Sequence, residues 1–275
     1  MPTTTTLPDP AIQRPHARRT GGRRTVFIAA LLIIGTALGV IAWYGSVGPE
    51  TSQPTTIRPT QQVDRIEVDI DAGDIEVESG DKVVVDVESQ GRAGGASVTT
   101  SDLSDGVLSV FVSCPRLALL RSCNTSVSLV VPPGTPLIAA TEAGTITASD
   151  LTAGADLRTA AGAIDVRDLA GTIRLQSEAG SLSGTVLRGT LDASTAAGPI
   201  SITVAEDLTR LTAATETGPV ELVVPDAAYR VDAGTSLGRT DIDVTTTTDA
   251  SRVIEAHSKV GDVTVRTGTH RTTVD

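Results

Sequence analysis

Apolar residues in the C-terminal half of the chain return in fixed register around a glycine. Gly144, Gly162, Gly180 and Gly198 follow one another at intervals of 18 residues, and Gly218, Gly238 and Gly261 follow at 20, 20 and 23. Seven residues before each glycine stand Leu137, Ala155, Ile173, Leu191, Leu211, Val231 and Ile254; five before stand Ala139, Leu157, Leu175, Ala193, Ala213, Ala233 and Ala256. Three before stand Thr141, Thr159, Ser177, Thr195, Thr215, Thr235 and Ser258. Two after come Ile146, Ile164, Leu182, Ile200, Val220, Thr240 and Val263, and four after come Ala148, Val166, Gly184, Ile202, Leu222, Ile242 and Val265. A step of two within each limb is strand periodicity. The positions between are mostly polar, as at Asp165, Ser201, Glu221 and Thr264.

Each repeat therefore reads as two short strands around a glycine turn. One such unit cannot bury its apolar face alone, whereas stacked units bury a continuous core and pair each strand with the next coil. The predicted fold is all-β: a parallel β-solenoid, or single-stranded β-helix-like stack, of coils of about 18–20 residues. Leu151, Leu169 and Leu187 predict a third inward stripe. Ile66, Val68 and Ile70 before Gly73, with Ile75 and Val77 after it, predict a first coil. An antiparallel sandwich also offers short strands at regular spacing. It leaves unexplained why five positions keep register across seven glycines.

Residues 63–134 are the irregular, capping part of the repeat domain, and 135–275 its regular part. Val83, Val85 and Val87 alternate, as do Leu108, Val110 and Val112, and then Val127, Leu129 and Val131. These runs predict antiparallel strands that start or cap the stack.

The N-terminal segment changes the topological picture. Residues 25–44 form a 20-residue stretch without a charge, long enough to span a bilayer as one helix. Arg14, Arg18, Arg19, Arg23 and Arg24 precede it against Asp9 alone, which places residues 1–24 in the cytoplasm as a disordered basic tail. The repeats then lie outside, in a single-pass protein of the bacterial cell membrane. A cleaved signal peptide is the alternative and leaves the repeats outside too. Residues 45–62, rich in Pro, Thr and Ser, read as an extended linker. The membrane is thus one expected partner, through the chain's own helix.

Charge is segregated along the chain. Beyond residue 24 there are 17 basic against 32 acidic residues, within a formal net charge of −11 overall. An acidic exterior excludes nucleic acid as a partner, because phosphates need basic contacts. Glu142, Ala160, Glu178, Ala196 and Glu216 alternate two before their glycines. The alternation spaces like charges on stacked coils; a carboxylate row for a cation or basic partner is the functional reading. The Ser and Thr three before each glycine read as a structural hydroxyl ladder.

Cys114 and Cys123 are the only cysteines and flank the loop PRLALLRS. Outside the cytoplasm they are expected to form a disulfide. Leu117, Leu119 and Leu120 within that loop are expected to cap an open end of the core. His16, His257 and His270 lack ligand spacing, and no nucleophile elbow or phosphate loop occurs. No catalytic, cofactor-binding or metal residues are assigned, and no small-molecule substrate is evident. A carbohydrate-active β-helix enzyme would want aromatic platforms, yet Phe111 and Tyr229 are the only aromatics beyond residue 44.

Segments such as TEAGTITASDLTAGADLRTAAGAIDVRDLAGTIRLQSEAGSLSG resemble the bacterial putative-adhesin β-strand repeat family, or toast-rack domains, over residues 63–275. The resemblance implies a stacked β domain, often membrane-anchored, with no catalytic residues to carry over. It points to a non-enzymatic adhesin or envelope scaffold. An accessory or sensory subunit of an envelope-stress signalling system is the alternative.

Overall fold

The computed structural model describes residues 50–92, 98–113 and 123–268. The basic tail, the apolar stretch 25–44, Cys114 and the three loop leucines lie outside the described residues. Of the expected disulfide, only the backbone of Cys123 is placed, at the start of a strand. No helix among the described residues is long and apolar enough to cross a membrane.

The described residues form nineteen strands and no helix. In chain order they are β1 (Glu50–Ile57), β2 (Arg65–Ile70), β3 (Asp74–Ser79), β4 (Val84–Arg92), β5 (Val98–Ser104), β6 (Val107–Ser113) and β7 (Cys123–Val131). Then come β8 (Leu137–Ala143), β9 (Ile146–Ser149), β10 (Ala155–Ala161), β11 (Ile164–Ala179), β12 (Leu182–Ala197) and β13 (Ile200–Thr217). The last are β14 (Val220–Val224), β15 (Ala228–Leu237), β16 (Thr240–Asp243), β17 (Thr245–Thr246), β18 (Val253–Val260) and β19 (Val263–Thr267).

Two parallel ladders run side by side, one on each side of the glycine row. The strands before the glycines pair in the order β6, β2, β8, β10, then the C-terminal halves of β11, β12 and β13, then β18 and β15. The strands after the glycines pair in the matching order β7, β3, β9, the N-terminal parts of β11, β12 and β13, then β14, β19 and β16. Nine two-limbed coils are thus stacked in a solenoid-like sheet. At one end β5 and β4 run antiparallel along β6 and β7, and β1 follows β4.

The stacking order departs from chain order at both ends. The Gly73 coil lies between the β6–β7 coil and the Gly144 coil. The Gly261 coil lies between the Gly218 and Gly238 coils, which leaves the Gly238 coil outermost among the described residues. Charge accounts for part of this arrangement. In chain order Arg210 would adjoin Arg230 and Glu221 would adjoin Asp241; the observed order puts Val253 and Thr264 between them. Like charges directly opposite in a sheet are destabilising. The inserted coil is also tied to its neighbour by Lys259–Glu216 (2.5 Å), Arg210–Glu255 (2.6 Å) and Arg266–Glu221 (2.9 Å).

Two further expectations are corrected. Residues 50–57, within the expected linker, form β1. Pro54 is tolerated there because β1 is an edge strand among the described residues. Leu187 is only half-buried; a bulge makes it the extra residue, and Val186 pairs with Leu169 and is buried in its place.

The glycine corners explain the spacing. The N–H of Gly162 donates to the Ala179 carbonyl (3.0 Å), and the N–H of Ile164 to the Ser181 carbonyl (2.9 Å). The same pair of bonds recurs at the neighbouring corners. The residue between these two donors accepts through its carbonyl but donates no ladder bond, which is why Pro199 and Pro219 fit there. In the two coils inserted out of order that residue is an aspartate. Asp74 accepts from the Thr145 N–H and Asp262 from the Arg239 N–H, both at 2.8 Å.

The hydroxyl ladder is internal. Thr141, Thr159, Ser177, Thr195, Thr215 and Ser258 are buried and donate to the glycine carbonyl of the preceding coil in space, at 2.9–3.2 Å. Thr159→Val would leave the Gly144 carbonyl without its hydroxyl donor, at an expected cost of about 1–3 kcal/mol. Thr159→Ser should cost clearly less. Denaturant midpoints of the two variants check this, and equal losses would remove the hydrogen bond as the reason for the ladder.

Tyr229 is buried and its hydroxyl donates to the Pro225 carbonyl at 2.9 Å. Burial raises its pKa above the ordinary value of 10.0, partly offset by the Arg252 charge. The phenol therefore ionises less readily folded than unfolded, so its contribution is complete below the unfolded value and is lost as pH rises through the folded one. Alkaline pH should lower the melting temperature more steeply in the wild type than in Tyr229→Phe. Parallel alkaline profiles would refute this.

Candidate interaction surface

The side chains between the buried rows form the outer faces of the two ladders. Stacking turns each row into a line with one residue per coil, about 4.8 Å apart. The ladder before the glycines carries two lengthwise depressions. One, of about 970 Å³, runs beside the glycine corner, and its lining includes Arg158, Gln176, Glu178, Glu216, His257 and Lys259. The hydroxyl row forms its floor; six of its hydroxyls are committed to glycine carbonyls, and that of Thr235 has no hydrogen-bond partner among the described residues. The second, of about 650 Å³, lies at the start of the same strands and includes Arg65, Asp156, Arg174, Asp192 and Arg210.

Small residues open the first groove. Ala160, Ala196 and Ala214 line it where long side chains would fill it. Glu142, Glu178 and Glu216 are exposed, and successive members lie two coils apart, or roughly 9.6 Å. The row is not uniformly acidic: the inserted coil places Lys259 after Glu216, and the two pair. In the second groove Arg174 lies 3.5 Å from Asp192, and Asp156 lies 2.5 Å from Arg158, which lines the first. The Arg174–Asp192 pair is solvent-exposed, so it contributes about 0–1 kcal/mol and can be exchanged for a ligand contact at little loss, whereas Asp156 is half-buried. Among the described residues no three His, Cys, Asp or Glu side chains converge as a metal-ligand set. His257 faces Asp232 at 3.8 Å on the exposed surface.

The structure places the turn glycines as one column. Gly73, Gly144, Gly162, Gly180, Gly198, Gly218, Gly261 and Gly238 follow one another, each beside the carbonyl of its neighbour. Thr125 takes the glycine's place in the β7 coil, opposite Gly73. The glycines are architectural and line neither groove, apart from Gly234 and Gly154, which belong to other positions of the repeat. Sequence reasoning did not single out the grooves. The alternation of Ala with Glu was their one visible trace.

Solved structures are similar to this chain at low sequence identity. A "putative adhesin" from Bacteroides fragilis is 13% identical over 78% of this chain and 97% of that one, with a TM-score of 0.49. Another from Parabacteroides distasonis is 15% identical over 81% and 98%, with a TM-score of 0.41. A "putative cell adhesion protein" from Clostridium sporogenes is 10% identical over 80% and 100%, with a TM-score of 0.39. No curated protein gives a significant match. The family model described as Toastrack DUF4097 matches residues 44–271, and over that span, which holds every described strand, the chain belongs to the Toastrack DUF4097 family.

Proposed function

We propose that the chain is a non-enzymatic, membrane-tethered extracytoplasmic module that makes adhesive or scaffolding contacts in the bacterial envelope through the outer face of the ladder preceding the glycines. The observation that carries this reading is the pair of lengthwise grooves on one face, lined by repeating polar side chains. A surface of this kind suits an extended ligand engaged at many weak contacts. The uncharged stretch 25–44 and the arginines before it support the tether and its orientation. With β1 starting at Glu50, only residues 45–49 would separate the domain from the bilayer.

Site-specific photocrosslinking in cells tests the surface. A photoreactive residue at Gln176, in the first groove, is expected to capture an envelope polymer or surface protein. The same residue at Thr203, on the other ladder, should capture far less. Equal capture at both positions, or none at Gln176, would remove the groove as the contact surface.

A further inference from the structure

The outermost of the described coils is not the last in the chain. The coil through Gly238 is followed by β17 and by the coil through Gly261, and that later coil lies beneath it. The limbs from Arg230 to Asp243 therefore form a strap whose two ends both return to the body. Its base is closed. Ala228 and Tyr229 pair with Thr245 and Thr246, the Arg230 N–H donates to the Arg252 carbonyl at 2.9 Å, and Tyr229 is buried.

The strap is held less firmly than the coil beneath it. In the Gly261 coil Ile254, Ala256, Ser258, Val263 and Val265 are all buried. In the strap the matching Val231, Ala233 and Thr235 are half-buried, and Thr240 and Ile242 are exposed. Less apolar area therefore leaves water when the strap docks. The Ser258 hydroxyl donates to the Gly218 carbonyl at 2.9 Å, whereas the Thr235 hydroxyl has no partner among the described residues. Charge divides the two seams in the same way. Four ion pairs tie the Gly261 coil and the residue before it to β13 and β14: Arg252–Asp207, Arg210–Glu255, Lys259–Glu216 and Arg266–Glu221. Across the strap's seam Asp232 stands directly opposite Glu255, and like charges in that position destabilise a sheet. His257 meets Asp232 there only at 3.8 Å. Asp243 stands opposite Arg266, whose guanidinium is bonded to Glu221 on its other side.

We propose that the strap Arg230–Asp243 lifts as a unit on its closed base while the Gly261 coil stays docked. Local opening of this kind belongs to segments with few buried apolar contacts. The lift frees the N–H groups of Gly261 and Val263, which donate to the Leu237 and Arg239 carbonyls, and so uncovers the edge of the Gly261 coil. It also withdraws Gly234, Thr235 and Ser236 from the lining of the first groove. The strap is thus a movable end wall of that groove. Because both its ends stay anchored, closing it again costs only the entropy of a short loop. The opening goes beyond the groove reading and does not depend on it.

Native-state amide exchange of the detergent-solubilised full-length chain tests this. Gly261 and Val263 report the strap's seam, and Gly218 and Val220, which donate to the Val260 and Asp262 carbonyls, report the seam beneath it. The first pair should exchange at least ~100-fold faster than the second, at a rate that low denaturant barely changes, as local opening requires. Asp232→Lys places opposite charges across the strap's seam. It should slow Gly261 and Val263 roughly 3-fold or more and leave Gly218 and Val220 as they were. Far-UV dichroism should stay unchanged. Equal exchange at the two pairs would overturn the proposal, because the strap would then open only with the coil beneath it. So would slow, denaturant-dependent exchange at Gly261 and Val263, which would mean that the strap is fixed, by residues 269–275 or otherwise. An Asp232→Lys variant that slows both pairs alike, or neither, would overturn it as well.

Discussion

Gly162→Ala is expected to prevent the stack from closing in its middle, with a loss above ~4 kcal/mol, in the range reserved for severe backbone or packing faults. Gly162 has φ +152°, where side chains are disfavoured, and a Cβ built there lies 1.9 Å from the Gly144 carbonyl oxygen and 2.6 Å from its carbon. The obstacle is backbone, held by its own ladder bonds, so it cannot move aside as a side-chain tip could. The damage spreads to both neighbours, because Gly162 donates to one coil and accepts the Ser177 hydroxyl from the same one, while resting against Gly144 on the other side. Gly134→Ala is the matched control, since a Cβ there meets nothing within 4 Å. Thermal melts should place Gly162→Ala roughly 10 °C or more below wild type, by the scaling for a domain of this size. Gly134→Ala should lie within a few degrees of it. A Gly162→Ala variant that melts with the control would mean that the column of glycines is not required by contact.

The second large effect concerns volume shared between the two limbs of a coil. The rows five before and four after the glycine both point into the core. In three consecutive coils they trade size: Leu175 with Gly184, Ala193 with Ile202, and Ala213 with Leu222. Leu222→Ala should cost about 2–5 kcal/mol through lost burial and the cavity left behind. Ala213→Leu should cost about 1–3 kcal/mol by overpacking. The double variant exchanges the two residues and restores the volume, so its loss should fall at least ~1 kcal/mol below the sum of the singles. Strict additivity in denaturant unfolding would show that the two rows fill separate spaces.

The coil itself was legible because burial imposes the same five rows on the inner repeats, and the Gly238 repeat keeps the pattern although none of its five row residues is fully buried. The coil order was not legible for the same reason. Repeats that present identical rows can stack on one another in any sequence. What distinguishes them is the outer face, where Arg210, Arg230, Glu221 and Asp241 make one order less repulsive than the other. One row did carry a hint: Thr240, which is exposed, stands where the other regular coils have Ile, Leu or Val, and its coil ends the stack of the described residues. β1 was hidden by its composition. Pro54 and its Thr and Ser neighbours read as linker, yet an edge strand bonds on one side only and tolerates them. The grooves left only the Ala–Glu alternation as a trace, because the alanines that open them also suit a plain surface.

The exchanged coil order has a consequence for how the chain can be completed as it is made. A repeat protein stacked in chain order can add each unit to a finished neighbour, like a growing column. Here the edge of the Gly218 coil must wait for β18 and β19, which are synthesised after β15 and β16. The Gly144 coil must likewise be met by β2 and β3, made long before it, with the β6–β7 coil already emerged between them. Neither terminus can be settled locally. Contacts between residues far apart in the chain close late, and each closure carries a loop-entropy cost before it is rewarded. The assembly therefore locks at its two ends last, and a chain interrupted before Val253 would leave an inner seam open instead of merely losing its final turn.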